Sequence, residues 1–121
     1  MLNITFDKEY PIVTLEPEEK LSQMDFETAA KIIDPFIKIH GKLLGVIIET
    51  ESFPGWKDFA ALLEHLTFIK KHHKKVKRVA FVTDSVIGGA AEHITSHFVD
   101  AEVKHFPYGA HKEARNWILE A

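Results

Sequence analysis

The chain has no cysteine among its 121 residues, which removes disulfide frameworks and thiol chemistry together and fits a reducing compartment. Long apolar runs are missing as well. The longest, Leu43 to Ile48 (LLGVII), falls far short of the ~20 residues a membrane-spanning helix needs. The opening decapeptide, MLNITFDKEY, lacks the basic head and apolar stretch of a secretory signal. Phosphate-cradling glycine motifs (GxGxxG, GxxxxGK[ST]) are absent, as is the GxSxG nucleophile elbow, and no nucleophile has a recognisable partner. The expectation is a cytoplasmic, non-enzymatic protein without a cofactor.

A strong charge of one sign is also lacking: the net charge is −3. The distribution is uneven, however. The stretch Lys70 to Arg78 (KKHHKKVKR) holds six of the fifteen Lys and Arg and no acid, leaving nine bases against eighteen acids elsewhere. One end should attract anions while the remainder repels them, which argues against a general nucleic-acid surface.

What is present is a soluble globular composition, 45% hydrophobic and 27% charged, sized for a single domain over residues 1–121. Leu2 to Phe6 alternates apolar and polar as a half-buried strand does, and Ile12 to Leu15 follows after a short turn as the second arm of a hairpin. Ser22 to Asp25 has capping-box character. The helix after it places Phe26, Ala30, Ile33 and Ile37 on one face, and Pro35 predicts a kink or a division into two shorter helices before Gly41. Leu43 to Ile48 and Arg78 to Thr83 are apolar without alternation, the mark of strands covered on both faces. Between them a helix over about Trp56 to His72 carries the stripe Phe59, Leu62, Leu63, Leu66 and Ile69. Another begins at Asp84 or Ser85 with Ile87, Ala91, Ile94 and Phe98 inward. Ala101 to Phe106 is the last strand, and the helix Gly109 to Glu120 buries Ala110, Ala114, Trp117 and Ile118. The order β-β-α-β-α-β-α-β-α predicts an α/β domain: a mixed, mostly parallel sheet of about five strands with about four helices, its first strand antiparallel at an edge.

This order, together with the segments VIIETESFPGWKDFAALLEHLTFIK, RVAFVTD, AEVKHF and EARNWI, resembles the SpoIIAA-like proteins, small bacterial relatives of the STAS domain (sulfate transporter and anti-sigma-factor antagonist). The turn of acids, aromatics and Pro-Gly-Trp after the third strand is its most specific piece. The resemblance implies a STAS-like fold and a non-enzymatic module that binds partner proteins, nucleotides or small ligands. The fold is also similar to the lipid-binding CRAL-TRIO type. In anti-sigma-factor antagonists a phosphorylatable serine sits where that turn meets its helix. Here the helix opens GWKDF without Ser or Thr, and Ser52 lies before the Pro-Gly.

Five residues mark a ligand-binding cleft. In a parallel sheet ligands collect beyond the carboxyl ends of the strands, where Phe53, Trp56, Asp84, Ser85 and Ile87 should gather as the lip of a pocket for a small apolar or anionic ligand. Equally, Trp56 caps the core beside Phe59 and Leu63, and Phe53 staples the helix entry. Phe68 lies on the polar side of its helix. With Lys70, Lys71, Lys74 and Lys75 it could meet a membrane surface or another anion; the same cations also complement a helix C-terminus. Ser52 and Ser85 are candidate phosphosites of a regulatory module with a protein partner. Glu49, Glu51 and Asp84 converge at the strand ends, where acids either perform proton chemistry or cap helices. His93 and His97, four apart, fix no third ligand even with His105 or Glu92 nearby, so no metal site is assigned.

Overall fold

The computed structural model describes residues 2–17, 23–51, 76–84 and 102–120. Within them lie five strands and two helices: β1 (Leu2–Phe6), β2 (Ile12–Pro17), α1 (Gln23–His40), β3 (Leu43–Glu49), β4 (Val76–Val82), β5 (Glu102–Phe106) and α2 (His111–Leu119). The helices expected between β3 and β4 and between β4 and β5 fall on residues 52–75 and 85–101, outside the described residues.

The strands form one sheet in the order β1-β2-β3-β4-β5. β1 pairs antiparallel to β2, from Leu2 opposite Pro17 to Phe6 opposite Val13, while β2, β3, β4 and β5 run parallel. The mixed α/β sheet with an antiparallel edge strand is therefore the architecture that the hydrophobic pattern predicted. Alternation along the strands divides the core in two. Val13, Leu15, Val46, Ile48, Val79 and Phe81 face α1, which contributes Ala29, Ile33 and Ile37. Ile12, Ile47, Ala80, Val82 and Phe106 face α2, which contributes Ala114 and Ile118. Covered on both sides, β3 and β4 have no wet face to alternate with, which is why LLGVII and VAFV read as continuous apolar runs. Each such side chain removed from water is worth roughly 1.5–3 kcal/mol.

α1 is one helix from Gln23 to His40 with Pro35 inside it, so the proline does not divide it in two. Pro35 and Lys31, whose carbonyl loses its helical partner, are both exposed, so water can serve that group. Ile33 and Ile37 on the opposite side continue to pack across the proline. The helix ends at Gly41, whose φ of +77° suits glycine and whose N–H bonds the Ile37 carbonyl at 2.7 Å. Of the four residues expected inward on the last helix, Ala114 and Ile118 are buried and Ala110 and Trp117 half-buried. Gly45 sets the approach of α2. A Cβ there would stand 2.6 Å from two carbons of Ile118, so the helix can lie this close only over a residue without a side chain.

Candidate functional site

The parallel strands end in a row of polar residues whose bonds run across the sheet. The Thr50 N–H donates to the Val82 carbonyl (3.1 Å) and the Thr83 N–H to the Phe106 carbonyl (3.0 Å), prolonging the ladder one residue past β3 and β4. Glu51 and Asp84 are then joined directly: the Asp84 N–H reaches the Glu51 carbonyl at 3.2 Å, and the Thr83 hydroxyl donates to the same oxygen at 3.3 Å. His105 Nε2 lies 2.7 Å from the Thr83 carbonyl, which can only accept, so that nitrogen bears the proton. Asp84 Oδ1 accepts the Tyr108 N–H at 3.0 Å and so holds the β5–α2 turn. Glu49 Oε1 accepts from His111 Nδ1 at 2.8 Å, tying the end of β3 to the first turn of α2.

Of the residues expected in the cleft, Asp84 alone falls among the described ones, and there it is an anchor of the rim. Phe53, Trp56, Ser85 and Ile87 lie outside them, as do the candidate phosphosite Ser52 and the surface set Phe68, Lys70, Lys71, Lys74 and Lys75. The three acids expected to meet at the strand ends do share this edge. Two of them are occupied through their carboxylates, Glu49 by His111 and Asp84 by Tyr108, while Glu51 takes part through its backbone carbonyl. His105, once a possible third metal ligand, spends its Nε2 on Thr83. The last cation of the basic block also turns out to serve the fold. Arg78 has a side chain only 15% exposed that donates through Nη1 to the Trp117 carbonyl, lies 3.3 Å from Glu102 and stacks over the Trp117 ring at 4.7 Å. The excess positive charge available at the surface of that block is smaller by one.

A second cluster joins the β1–β2 hairpin to α2. Asp7 accepts the backbone N–H groups of Glu9 and Tyr10 at 3.0 and 3.1 Å, which shapes the turn. It also takes Nε and Nη2 of Arg115 at 2.6 and 3.3 Å. The Arg115 bond is the chief reason that the Asp7 carboxyl is held down at about 2, with the two turn amides adding to it against the cost of burial. Arg115 is raised in turn by the same bond and stacks 5.4 Å from the centre of the Tyr10 ring. Beside the cluster is an open hollow of about 210 Å³. Ile12 and Ile47 form its floor, with Thr5, Thr14, Glu16 and His111 among its walls. It stands partly open to solvent.

Asp7, Arg115 and His111 were not picked out from the sequence, and Arg78 only as the end of the basic block. An acid directly after a strand in DKEYP is a turn signal that would have found half of the Asp7 chemistry. Its partner 108 positions away has no local signature. Among the described residues no helix is long and apolar enough to cross a membrane, and no three His, Asp or Glu are grouped to hold a metal.

Comparison with curated proteins finds no match to the chain, and comparison with solved structures finds none. The family model described as SpoIIAA-like matches residues 12–119, from the first residue of β2 to the last of α2. With a match of that extent over this sheet, the chain belongs to the SpoIIAA-like family, a STAS-type fold whose members are generally non-enzymatic binding or regulatory modules.

Proposed function

We propose that the protein is a non-enzymatic regulatory module of the STAS type that engages a partner protein at the carboxyl rim of its sheet. Family membership supports the regulatory class. The observation that carries the location is the double bond of Thr83 and Asp84 to the Glu51 carbonyl. Residues 52 and 85 follow immediately on Glu51 and Asp84, so the segments 52–75 and 85–101 set out from one hydrogen-bonded point. A surface built there draws on two segments at once, and connecting segments held by a rigid scaffold are where binding residues concentrate.

Ser52 and Ser85 sit at the start of those segments. A phosphate on either adds a charge of about −1.5 to −2 directly after Glu51 or Asp84 in the chain. The added charge would change what the rim binds. The test is the intact mass of the chain recovered from its own cells, together with the mass of whatever accompanies it in equal amount. A stoichiometric protein partner that Ser52→Asp or Ser85→Asp releases supports the reading. A bare, unmodified chain under every growth condition overturns it.

The ligand-binding reading, with Phe53, Trp56, Asp84, Ser85 and Ile87 around a small apolar or anionic ligand and Phe68 with Lys70, Lys71, Lys74 and Lys75 on a membrane, rests on residues of which Asp84 alone is among the described ones. Sedimentation with anionic and with neutral vesicles separates it from the first. Salt-sensitive binding to anionic vesicles alone, lost in Phe68→Ser, would favour it.

A further inference from the structure

The two edges of the sheet are built differently. β5 exposes Glu102, Lys104 and His105, charged or polar side chains of the kind that keep an open edge from pairing with another chain. β1, LNITF, has no charge, no proline and no break in its register, and the described residues place no strand beyond it. Its unused hydrogen-bonding direction follows from the hairpin. The Asp7 N–H bonds the Ile12 carbonyl, so by alternation Thr5 and Asn3 bond inward and Leu2, Ile4 and Phe6 direct their N–H and C=O outward.

α1 beside this edge is apolar where water should be. Ile39 is 80% exposed, Met24 68% and Ile32 43%. At helical spacing these three share a side with Pro35, while Glu27, Lys31, Asp34 and Lys38 collect on another. Going round the helix from buried Ile33, one meets Phe36, stacked on Phe6 of β1 at 4.2 Å, and then Ile32 and Ile39. The exposed apolar strip is therefore on the flank that overhangs the open strand.

From the free edge and the bare flank together, we infer that the protein forms a two-fold dimer in which β1 pairs antiparallel with β1 of a second copy and the two α1 helices meet above the joint. A two-fold axis normal to the sheet through Ile4 satisfies both features at once. It sets Ile4 opposite its own symmetry mate and Leu2 opposite Phe6, using every outward-pointing group of the strand. It also keeps both α1 helices on one face of a ten-stranded sheet, side by side, with Ile32 and Ile39 turned toward each other. The uncharged strand brings no like charge to the axis. An isologous contact of this kind closes on itself and leaves the charged β5 edges outermost, whereas β1 on β5 would propagate into a filament.

Sedimentation equilibrium of the full chain across ~1–100 µM, with amide exchange read at both ends of that range, tests the arrangement. The expected result is a concentration-dependent dimer whose Leu2, Ile4 and Phe6 amides are protected in the dimer and exchange freely on dilution. Ile32→Asp and Ile39→Asp, both at exposed positions and so compatible with an unchanged circular dichroism spectrum, should each weaken it by ~30-fold or more. A chain that is monomeric throughout, a dimer indifferent to both substitutions, or a dimer whose β1 amides stay unprotected would each overturn it.

Discussion

The two helices meet opposite faces of one sheet on different terms. α1 spans 18 residues and is seated by Ala29, Ile33 and Ile37 against a wall of Val, Leu, Ile and Phe. α2 has 9 residues and buries only Ala114 and Ile118. A helix that short is marginal by itself in water, and two buried side chains give it little non-directional adhesion. Directional contacts do what area cannot. Asp7 holds Arg115, Glu49 holds His111, Arg78 holds the Trp117 carbonyl, and Gly45 lets Ile118 sink against the strand. Apolar packing tolerates small shifts, whereas the three polar contacts specify where the helix stands above the sheet. The face that orders the rim through His111 and Tyr108 is thus the one fixed by polar geometry.

The sharpest way to break this contrast is on the α1 face. Ile33 is 1% exposed at the centre of its cluster. Ile33→Ala leaves a cavity among rigid β-branched neighbours and should lower unfolding free energy by about 2–5 kcal/mol in urea titrations. The loss should be independent of pH, because the described residues buried in that cluster carry no titrating group. A loss that grows in acid would mean that the two faces are less distinct than their contacts indicate.

The polar face should respond to acid instead. Asp7 titrates at about 2 in the folded chain against an ordinary 3.8, so its bond to Arg115 stabilises the fold fully above pH 4 and is lost as pH falls toward 2. At 1.36 kcal/mol per unit, and allowing for screening at the margin of the hollow, the contribution is about 1–2 kcal/mol. In urea titrations between pH 5 and 2, Asp7→Asn should show a shallower decline than the parent chain and be the weaker of the two at pH 5. Parallel declines would show that neither Arg115 nor the turn amides favour the ionised Asp7 carboxylate in the folded chain.

Alternation made the edge strand legible, and β1 was placed from Leu2 to Phe6 without error; parallel pairing buries both faces of β3 and β4, whose apolar runs placed them within two residues at either end. The reach of α1 across Pro35 was not legible, since whether proline breaks a helix depends on what lies on the far side of the turn, here the buried pair Ile33 and Ile37. The glycine inside LLGVII was a visible sign of close approach by another element, yet nothing local named Ile118. At the rim, Glu49, Glu51 and Asp84 could be placed together from topology alone. Their partners could not, because His111 and Tyr108 arrive from a distant helix and turn whose angle is set by contacts such as Asp7 to Arg115. Sequence spacing reveals which side of an element is apolar, and long-range polar pairs then decide the orientation.

The smallest expected effect is the one nearest the proposed interface. Asp84 is exposed, and its carboxylate makes a single described bond, from Oδ1 to the Tyr108 N–H. Asp84→Ala should cost no more than ~1 kcal/mol of global stability, since water can replace an exposed acceptor. Its effect should be local. The Tyr108 amide loses its acceptor and should exchange faster, while amides of β3 and β4 keep the parent's rates. The Asp84 N–H bond to Glu51 belongs to the backbone and survives the substitution, so the two segments leaving the rim remain joined. If partner binding fails in Asp84→Ala while that local change is its only structural consequence, the carboxylate itself belongs to the recognition surface. If binding persists, the rim acts through the Glu51–Asp84 backbone link, and the comparison between a packed face and a polar one extends to function: the polar face sets position, and the segments it holds do the binding.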